Sequence, residues 1–188
     1  MSILPLVISP DPLLKKISKE VETIDDELKS FMKDMVNTMY HEHGVGLAAV
    51  QVGRLDRVLV IDVDYEIDED ATDNGDCCAT NSCGVKVRNT NPRYFINPEI
   101  VEFSDEQTSF NEGCLSFPGA RAMVDRSESV CVKYLDFNGK EKKEVMDGLL
   151  AICIQHEMDH LNGITFVDHI SKLKRDLILK KMRKLGKR

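Results

Sequence analysis

The sequence predicts an α+β fold in which mostly antiparallel sheets pack around a central helix, with a basic helix at the C-terminus. Three observations predict it. Strand patterns cluster in the middle of the chain instead of alternating with helices, an Asn138-Gly139 pair marks a tight hairpin, and an apolar helical segment follows the last strand. With 188 residues, 42% apolar and 30% charged, the chain is expected to form one globular domain over 1–188.

The first predicted helix follows Thr23, which forms a capping-box pattern with Asp26. Apolar residues then recur every three or four positions, as they do on the buried face of a helix. Gly44 is placed to end this helix as the glycine just beyond its last turn. The apolar members of the stripe are Leu28, Phe31, Met32, Met35, Val36, Met39 and Tyr40.

The middle of the chain is dominated by strand patterns. A β-branched run at 57–63 predicts a buried strand, and residues 64–91, with seven acidic side chains and few apolar ones, predict an acidic surface insertion. Asn138-Gly139 predicts a two-residue hairpin turn between the last two strands. Further strands are predicted at 93–103, 107–112, 120–124, 129–136 and 140–145, and helices at 148–161 and 171–185.

Charge and composition limit the class of protein. No apolar run approaches the roughly 20 residues that span a bilayer, and residues 1–9 lack the basic start of a secretory signal. We therefore expect a cytoplasmic protein that binds no membrane, with its six cysteines reduced. The net charge is −7, but residues 172–188 hold nine Lys or Arg against one Asp, and such a basic tail points to a polyanionic partner.

A glycine motif at 44–49 (GVGLAA) matches the dinucleotide-binding fingerprint. That fingerprint requires a strand before it and a helix after it. Here a helix precedes and a strand follows, so we expect no dinucleotide. The glycines would instead permit a close backbone approach to a ligand, or simply a turn.

Residues 156–160 (HEMDH) form an H-E-x-x-H pattern within a predicted helix. His156 and His160 are four residues apart and therefore lie on one helix face, where both imidazoles can bind one metal ion. Glu157 is close enough to act as base toward a water held there. The pattern therefore predicts a metal site.

A catalytic site of this kind needs a third protein ligand. Where the extended protease motif has its third histidine this chain has Phe166, and no glutamate follows His160 to complete a thermolysin-type site. His169 remains available, although it fits neither spacing. The stronger candidate is Cys114, upstream, which follows a strand and the small residue Gly113. One thiolate with two imidazoles can accept zinc, iron(II), nickel or cobalt.

Three segments, in this order, resemble the signature motifs of the peptide deformylase family: 44–51 (GVGLAAVQ), 112–116 (EGCLS) and 155–160 (QHEMDH). The resemblance extends over most of the chain. It implies a metal-dependent hydrolase that removes the N-formyl group from the N-terminal methionine of newly synthesised polypeptides and releases formate.

The resemblance also implies a role for each matching residue. Glu157 would take the proton from the attacking water and deliver it to the leaving amine. The Gln51 side-chain amide and the Leu115 backbone N–H would donate hydrogen bonds to the developing oxyanion. Iron(II) is implied as the physiological metal, with zinc a weaker substitute. The implied ligands are Cys114, His156 and His160.

A substrate pocket is expected beside the metal. Helical spacing places three residues on the face that carries both histidines, which favours either a pocket for methionine or plain core packing. By resemblance, Val45 would line the same pocket, and Gly46 and Gly113 would let a substrate backbone pair like an added strand. The three helical residues are Leu149, Ile152 and Cys153.

Two other functions remain open from the sequence. The first alternative is a zinc endopeptidase of the H-E-x-x-H type, and the second is a structural metal site in an RNA- or ribosome-binding module. The basic helix at 171–188 could dock on ribosomal RNA through phosphate contacts, or could be an ordinary solvated face.

Overall fold

Secondary structure is defined over residues 2–67 and 87–185, which are the residues that the computed structural model describes. Most of the predicted acidic insertion, residues 68–86, lies outside them. The helices are α1 (Asp26–His41), α2 (Gly148–Leu161) and α3 (Lys172–Leu185), with 3-10 turns at Pro12–Lys15, Ala49–Val52 and Phe166–Asp168. The strands are β1 (Gly46–Ala48), β2 (Val58–Ile61), β3 (Glu66–Ile67), β4 (Val87–Arg88), β5 (Arg93–Phe103), β6 (Gln107–Gly113), β7 (Arg121–Ser127), β8 (Ser129–Leu135) and β9 (Glu141–Asp147).

The strands form three antiparallel sheets. The largest has five strands in the order β1-β2-β5-β8-β9, and the pairs β3-β4 and β6-β7 form two-stranded ribbons. This confirms the predicted α+β fold with antiparallel sheets around a helix. The strand predicted at 120–124 ends three residues too early, since β7 continues to Ser127.

The large sheet lies between α1 and α2, and β2 has both of its faces buried. Leu59 and Ile61 pack into the core cluster that contains α2, whereas Val58 and Val60 pack into the cluster that contains α1. All four side chains are fully buried. A strand covered on both faces needs a continuous apolar run, and this explains the β-branched sequence.

The N-terminal cap of α1 is Asp25, so the capping box predicted at Thr23 is wrong. The Asp25 carboxylate accepts a hydrogen bond from the backbone N–H of Leu28 at 2.8 Å, and the helix begins at Asp26. Aspartate caps a helix at least as well as threonine. Asp25, two positions after Thr23, is therefore the cap residue.

The C-terminal end of α1 also differs by one residue from the prediction. His43, not Gly44, adopts the left-handed conformation, with φ 57°. His43 N–H donates to the carbonyl of Tyr40 at 3.1 Å, and Gly44 N–H donates to the carbonyl of Met39 at 2.8 Å. These two bonds form a Schellman motif. Gly44 therefore follows the turn and begins the segment that leads into β1.

The hairpin between β8 and β9 has a three-residue loop, so the predicted two-residue turn is wrong. Asp136 N–H donates to the Lys140 carbonyl and Gly139 N–H donates to the Asp136 carbonyl, each at 2.9 Å. The Asp136 carboxylate also accepts hydrogen bonds from the N–H groups of Asn138 and Lys140. Gly139, with φ 79°, occupies the left-handed position that a loop of this type places after a type I turn.

The basic helix α3 docks by a narrow apolar edge. Ile178, Leu179 and Met182 pack into a third core cluster together with Phe117 and Phe166. The remaining positions of α3 are mainly exposed. Among the residues that the structure describes, no helix is both long and apolar enough to cross a membrane.

Replacing Asp25 by alanine is expected to destabilise the protein by about 1 kcal/mol, because the Leu28 N–H loses its acceptor. The free energy of unfolding in urea measures this. The control is Thr23→Ala at an exposed position, where a change within about 0.5 kcal/mol is expected. Equal losses in the two variants would contradict the assignment of the cap.

Candidate metal centre and active site

The two histidines of the H-E-x-x-H pattern lie side by side on α2. Strand β9 leads directly into this helix, and Gly148 at the junction has φ 54°, a left-handed conformation that favours glycine. The ring centroids of His156 and His160 are 5.2 Å apart. Both rings are buried, and the first half of the helix, before Gln155, is wholly apolar. Burying imidazoles in this way costs free energy unless they are paired or bind a metal.

Cys114 completes the cluster. It follows the last residue of β6, and its Sγ lies 3.2 Å from Nε2 of His160. The ligand atoms of Cys114, His156 and His160 lie within 4.8 Å of one another, the one such group found among residues 2–67 and 87–185. No described residue forms a hydrogen bond with Nδ1 of His160. A thiolate and two imidazoles form a donor set that transition metals accept, so these residues fit the implied metal.

His169 lies outside this cluster, although the sequence left it available as a ligand. Its Nε2 is 2.6 Å from Oδ2 of Asp159. The third candidate ligand therefore comes from upstream of the helix, which is not the ligand order of the protease alternatives.

A buried carboxylate, Glu112, links the cluster to the surrounding structure. Its Oε2 is 2.7 Å from Nδ1 of His156, and Arg126 donates to Oε1 from Nε at 2.7 Å and to Oε2 from Nη2 at 3.1 Å. Arg126 also donates from Nη1 to Asp159 at 2.6 Å. Burial alone would raise the pKa of Glu112, but the hydrogen bonds and charges of His156 and Arg126 lower it to about 2. The group therefore stays ionised and orients the His156 ring, with Nε2 left to face the cluster.

Glu157 lies beside the cluster and packs against the backbone of Gly46. A Cβ atom added at Gly46 would lie 2.6 Å from Oε1 of Glu157, so only glycine leaves room for the carboxylate. No described residue forms a hydrogen bond with Oε2. Burial raises the pKa of Glu157 to about 7. A carboxyl with such a pKa can take up and release a proton near neutral pH.

The Gln51 side chain is fixed at both ends of its amide. Its Oε1 accepts the N–H of Ala48 at 2.8 Å, which leaves the NH2 group directed toward the cluster. Nε2 lies 3.5 Å from Sγ of Cys114 and 3.3 Å from Oγ of Ser116. Leu115 follows Cys114, and its side chain lies against Gly44, where an added Cβ would be 2.8 Å from Cδ1. Amide hydrogens from Gln51 are thus available beside the cluster.

An open cavity of about 610 Å³ lies above these groups. Leu149, Ile152 and Cys153 of α2 line it. Burial raises the pKa of the Cys153 thiol to about 12. Of the sequence-predicted residues, the cavity is lined by Val45, Gly46, Gln51, Gly113, Cys114, Leu115, Leu149, Ile152, Cys153, His156 and Glu157. His160 lies behind them and does not line the cavity.

Sequence reasoning missed several residues of the site. Phe110 and Arg121 line the cavity from β6 and β7, and the link through Arg126 to Asp159 went unrecognised. Phe110 could have been identified from the sequence. Alternate residues of a strand face the same side, and Phe110 lies two residues before Glu112 of the 112–116 motif. Arg126 offered no comparable signal.

A cysteine and two histidines clustered beside a buried carboxylate, next to an open cavity, are the arrangement expected of a metal-dependent hydrolase. The family model described as polypeptide deformylase matches residues 3–176. The chain therefore belongs to the polypeptide deformylase family.

Individual relatives support this assignment over the whole chain. A peptide deformylase of Brucella suis is 47% identical over 186 residues, covering 99% of this chain and 95% of that protein. The crystal structure of a peptide deformylase from Legionella pneumophila has a TM-score of 0.81 at 40% identity, covering 99% of this chain and 96% of that one. The Ehrlichia chaffeensis peptide deformylase in complex with actinonin has a TM-score of 0.82 at 39% identity, covering 98% of each chain.

Glu112→Gln is expected to weaken metal binding by roughly 10- to 100-fold, because the charged group that orients His156 is lost. Competition with a chromophoric chelator for Co²⁺ or Zn²⁺ measures the dissociation constant. Glu102→Gln, at an exposed position on β5, is the matched control. An unchanged metal affinity in a folded Glu112→Gln protein would refute the positioning role.

Proposed function

We propose that this chain hydrolyses the N-formyl group from the N-terminal methionine of new polypeptides at the cavity above Cys114, His156 and His160. One observation carries the proposal: a buried carboxylate, an oriented side-chain amide and a three-ligand cluster meet at the base of one cavity. Because the chain belongs to the polypeptide deformylase family, deformylation is the reaction that we assign to this arrangement.

Cys114, His156 and His160 would hold one divalent cation, which we take to be iron(II), with zinc, nickel or cobalt as substitutes. When bound, the cation supplies Lewis acidity that lowers the pKa of water and polarises the formyl carbonyl. The Cys114 thiolate makes such an iron site sensitive to oxidation.

Glu157 moves the proton. It accepts one from the attacking water as the new C–O bond forms at the formyl carbon. It then delivers that proton to the amine nitrogen as the C–N bond breaks, which yields formate and a free N-terminus. Its pKa of about 7 suits both steps.

Gln51 and Leu115 stabilise the negative charge on the formyl oxygen. The Gln51 NH2 group already points toward the cluster because its Oε1 is held by Ala48. The backbone N–H of Leu115, next to Cys114, is the second donor. Preorganised donors of this kind act mainly on the transition state, and each is typically worth ~10²–10³ in turnover.

The peptide binds as an added strand. Within the described part of the chain, β1 pairs only with β2 and β6 only with β7, so each leaves one edge unpaired. Gly46 on β1 and Gly113 on β6 both line the cavity. A formylated peptide that lies between them can form backbone hydrogen bonds, while Ile152, Cys153 and Val45 contact its methionine side chain.

The basic helix α3 provides a surface for the ribosome, in the cytoplasm where new chains emerge. Its apolar edge is buried, and its exposed side carries basic residues that form no ion pair among the described residues. Such a surface can bind ribosomal RNA through phosphates. The residues are Lys172, Lys174, Lys180 and Lys184.

Formate release from a formyl-Met tripeptide tests the reaction, with protein purified without oxygen and loaded with iron(II). Glu157→Gln keeps the side-chain size but removes the proton acceptor, so kcat is expected to fall by ~10²–10⁴. Metal content should be unchanged. Glu106→Gln, at an exposed position, is the control. Absence of formate release by the folded, loaded parent protein would refute the proposed function, and loss of metal in Glu157→Gln would argue against its role as base.

Reversal of two exposed charges on α3 tests the ribosome surface. In Lys180→Glu/Lys184→Glu, co-sedimentation with ribosomes at low salt should weaken, and each lost phosphate contact should reduce the salt-dependence slope by about 1. Lys140→Glu/Lys143→Glu changes the net charge equally, but at the β8–β9 hairpin. Equal binding by both double variants would exclude α3 as the docking surface.

A further inference from the structure

One wall of the cavity is formed by residues 44–46, between α1 and the edge of the large sheet. The backbone there is held from several directions. Gly44 N–H donates to the carbonyl of Met39 at 2.8 Å, and the carbonyl of Val45 accepts the N–H of Asp62 at 3.0 Å. The carbonyl of Gly44 is a further polar group at the start of this wall.

Tyr65 binds that carbonyl. Its hydroxyl donates to the carbonyl oxygen of Gly44 at 2.9 Å, across 21 residues of sequence. Tyr65 immediately precedes β3 and does not line the cavity itself. It therefore acts on the wall from behind, through one hydrogen bond.

The Tyr65 side chain in turn packs against a hydrogen-bonded group of residues. Its ring packs edge-on against Tyr40 with centroids 4.7 Å apart. The Tyr40 hydroxyl donates to the buried carboxylate of Asp62, which also accepts the N–H groups of Asp64 at 3.0 Å and Asn91 at 2.7 Å. Burial, together with the charge of Asp62, raises the pKa of Tyr65, so the hydroxyl remains a donor throughout the neutral range.

We propose that Tyr65 is a positioning residue for the peptide substrate, because its bond to the Gly44 carbonyl fixes the 44–46 wall to which the peptide backbone and the methionine side chain bind. The inference rests on the proposed function and extends it to a residue outside the cavity. The wall contacts the peptide beside the reacting carbonyl, so its displacement weakens substrate and transition state alike. The expected effect is on KM and not on kcat.

The test is Tyr65→Phe, which removes one oxygen and keeps the ring on Tyr40. In the iron(II)-loaded protein, KM for a formyl-Met tripeptide is expected to rise roughly two- to tenfold, the range set by one net hydrogen bond. We expect kcat to stay within about twofold of the parent value, since Glu157, Gln51 and the metal ligands are not displaced.

Tyr134→Phe is the matched control. Its hydroxyl also bonds to side chains, those of Arg93 and Glu144, but it lies on β8 and does not line the cavity. Thermal unfolding of both variants shows whether stability changes equally. Unchanged KM in Tyr65→Phe, a fall in kcat alone, or an equal KM change in Tyr134→Phe would each overturn the inference. In those outcomes the parent protein still releases formate, whereas failure of the proposed function would leave the parent itself inactive.

Discussion

The geometry of the site depends on one buried ion pair, between Glu112 and Arg126. Cys114 comes from the β6–β7 ribbon, whereas both histidines come from α2. Glu112 lies two residues before Cys114 and binds His156, while Arg126 binds Glu112 and Asp159. The pair therefore connects ribbon and helix at the level of the ligands. Burying these charges costs free energy that is recovered only with complete hydrogen bonding. The pair is thus explained better by the need to hold ligands in position than by a gain in stability.

Burial around α2 changes the pKa values and the hydrogen-bond strengths of the polar residues of the site. The helix packs against the large sheet, and the side chains of Glu157 and His160 are almost entirely buried. The same desolvation that raises the pKa of Glu157 would, in the proposed reaction, strengthen hydrogen bonds from Gln51 to a developing charge. Among the described residues β1 pairs only with β2, and its Gly46 lines the cavity.

Features that depend on local periodicity were predictable, whereas features that depend on contacts between distant segments were not. The sequence predicted the bounds of β5 and of α2, where the length of the segment and its flanking residues decide between strand and helix. Errors arose where neighbouring residues compete for the same role, as at Asp25, His43 and Gly139, and a shift of one or two residues there leaves the pattern unchanged. The motifs indicated the three residues that the structure brings together as candidate ligands. The bonds of Arg126 to Asp159 and of Tyr65 to Gly44 join residues 33 and 21 positions apart, and no periodic signal marks them.

The glycine motif illustrates why the same residue spacing can serve unrelated chemistry. In a dinucleotide fold the missing Cβ lets a phosphate approach the backbone. Here the missing Cβ of Gly46 lets the Glu157 carboxylate approach, and that of Gly44 makes room for Leu115. The physical requirement, space beside a main chain, is the same in both folds, so the motif alone cannot identify the neighbour. The elements around it can: here a helix precedes the motif and a strand follows it, so Gly46 lies on strand β1 and not in the strand-to-helix turn that holds a pyrophosphate.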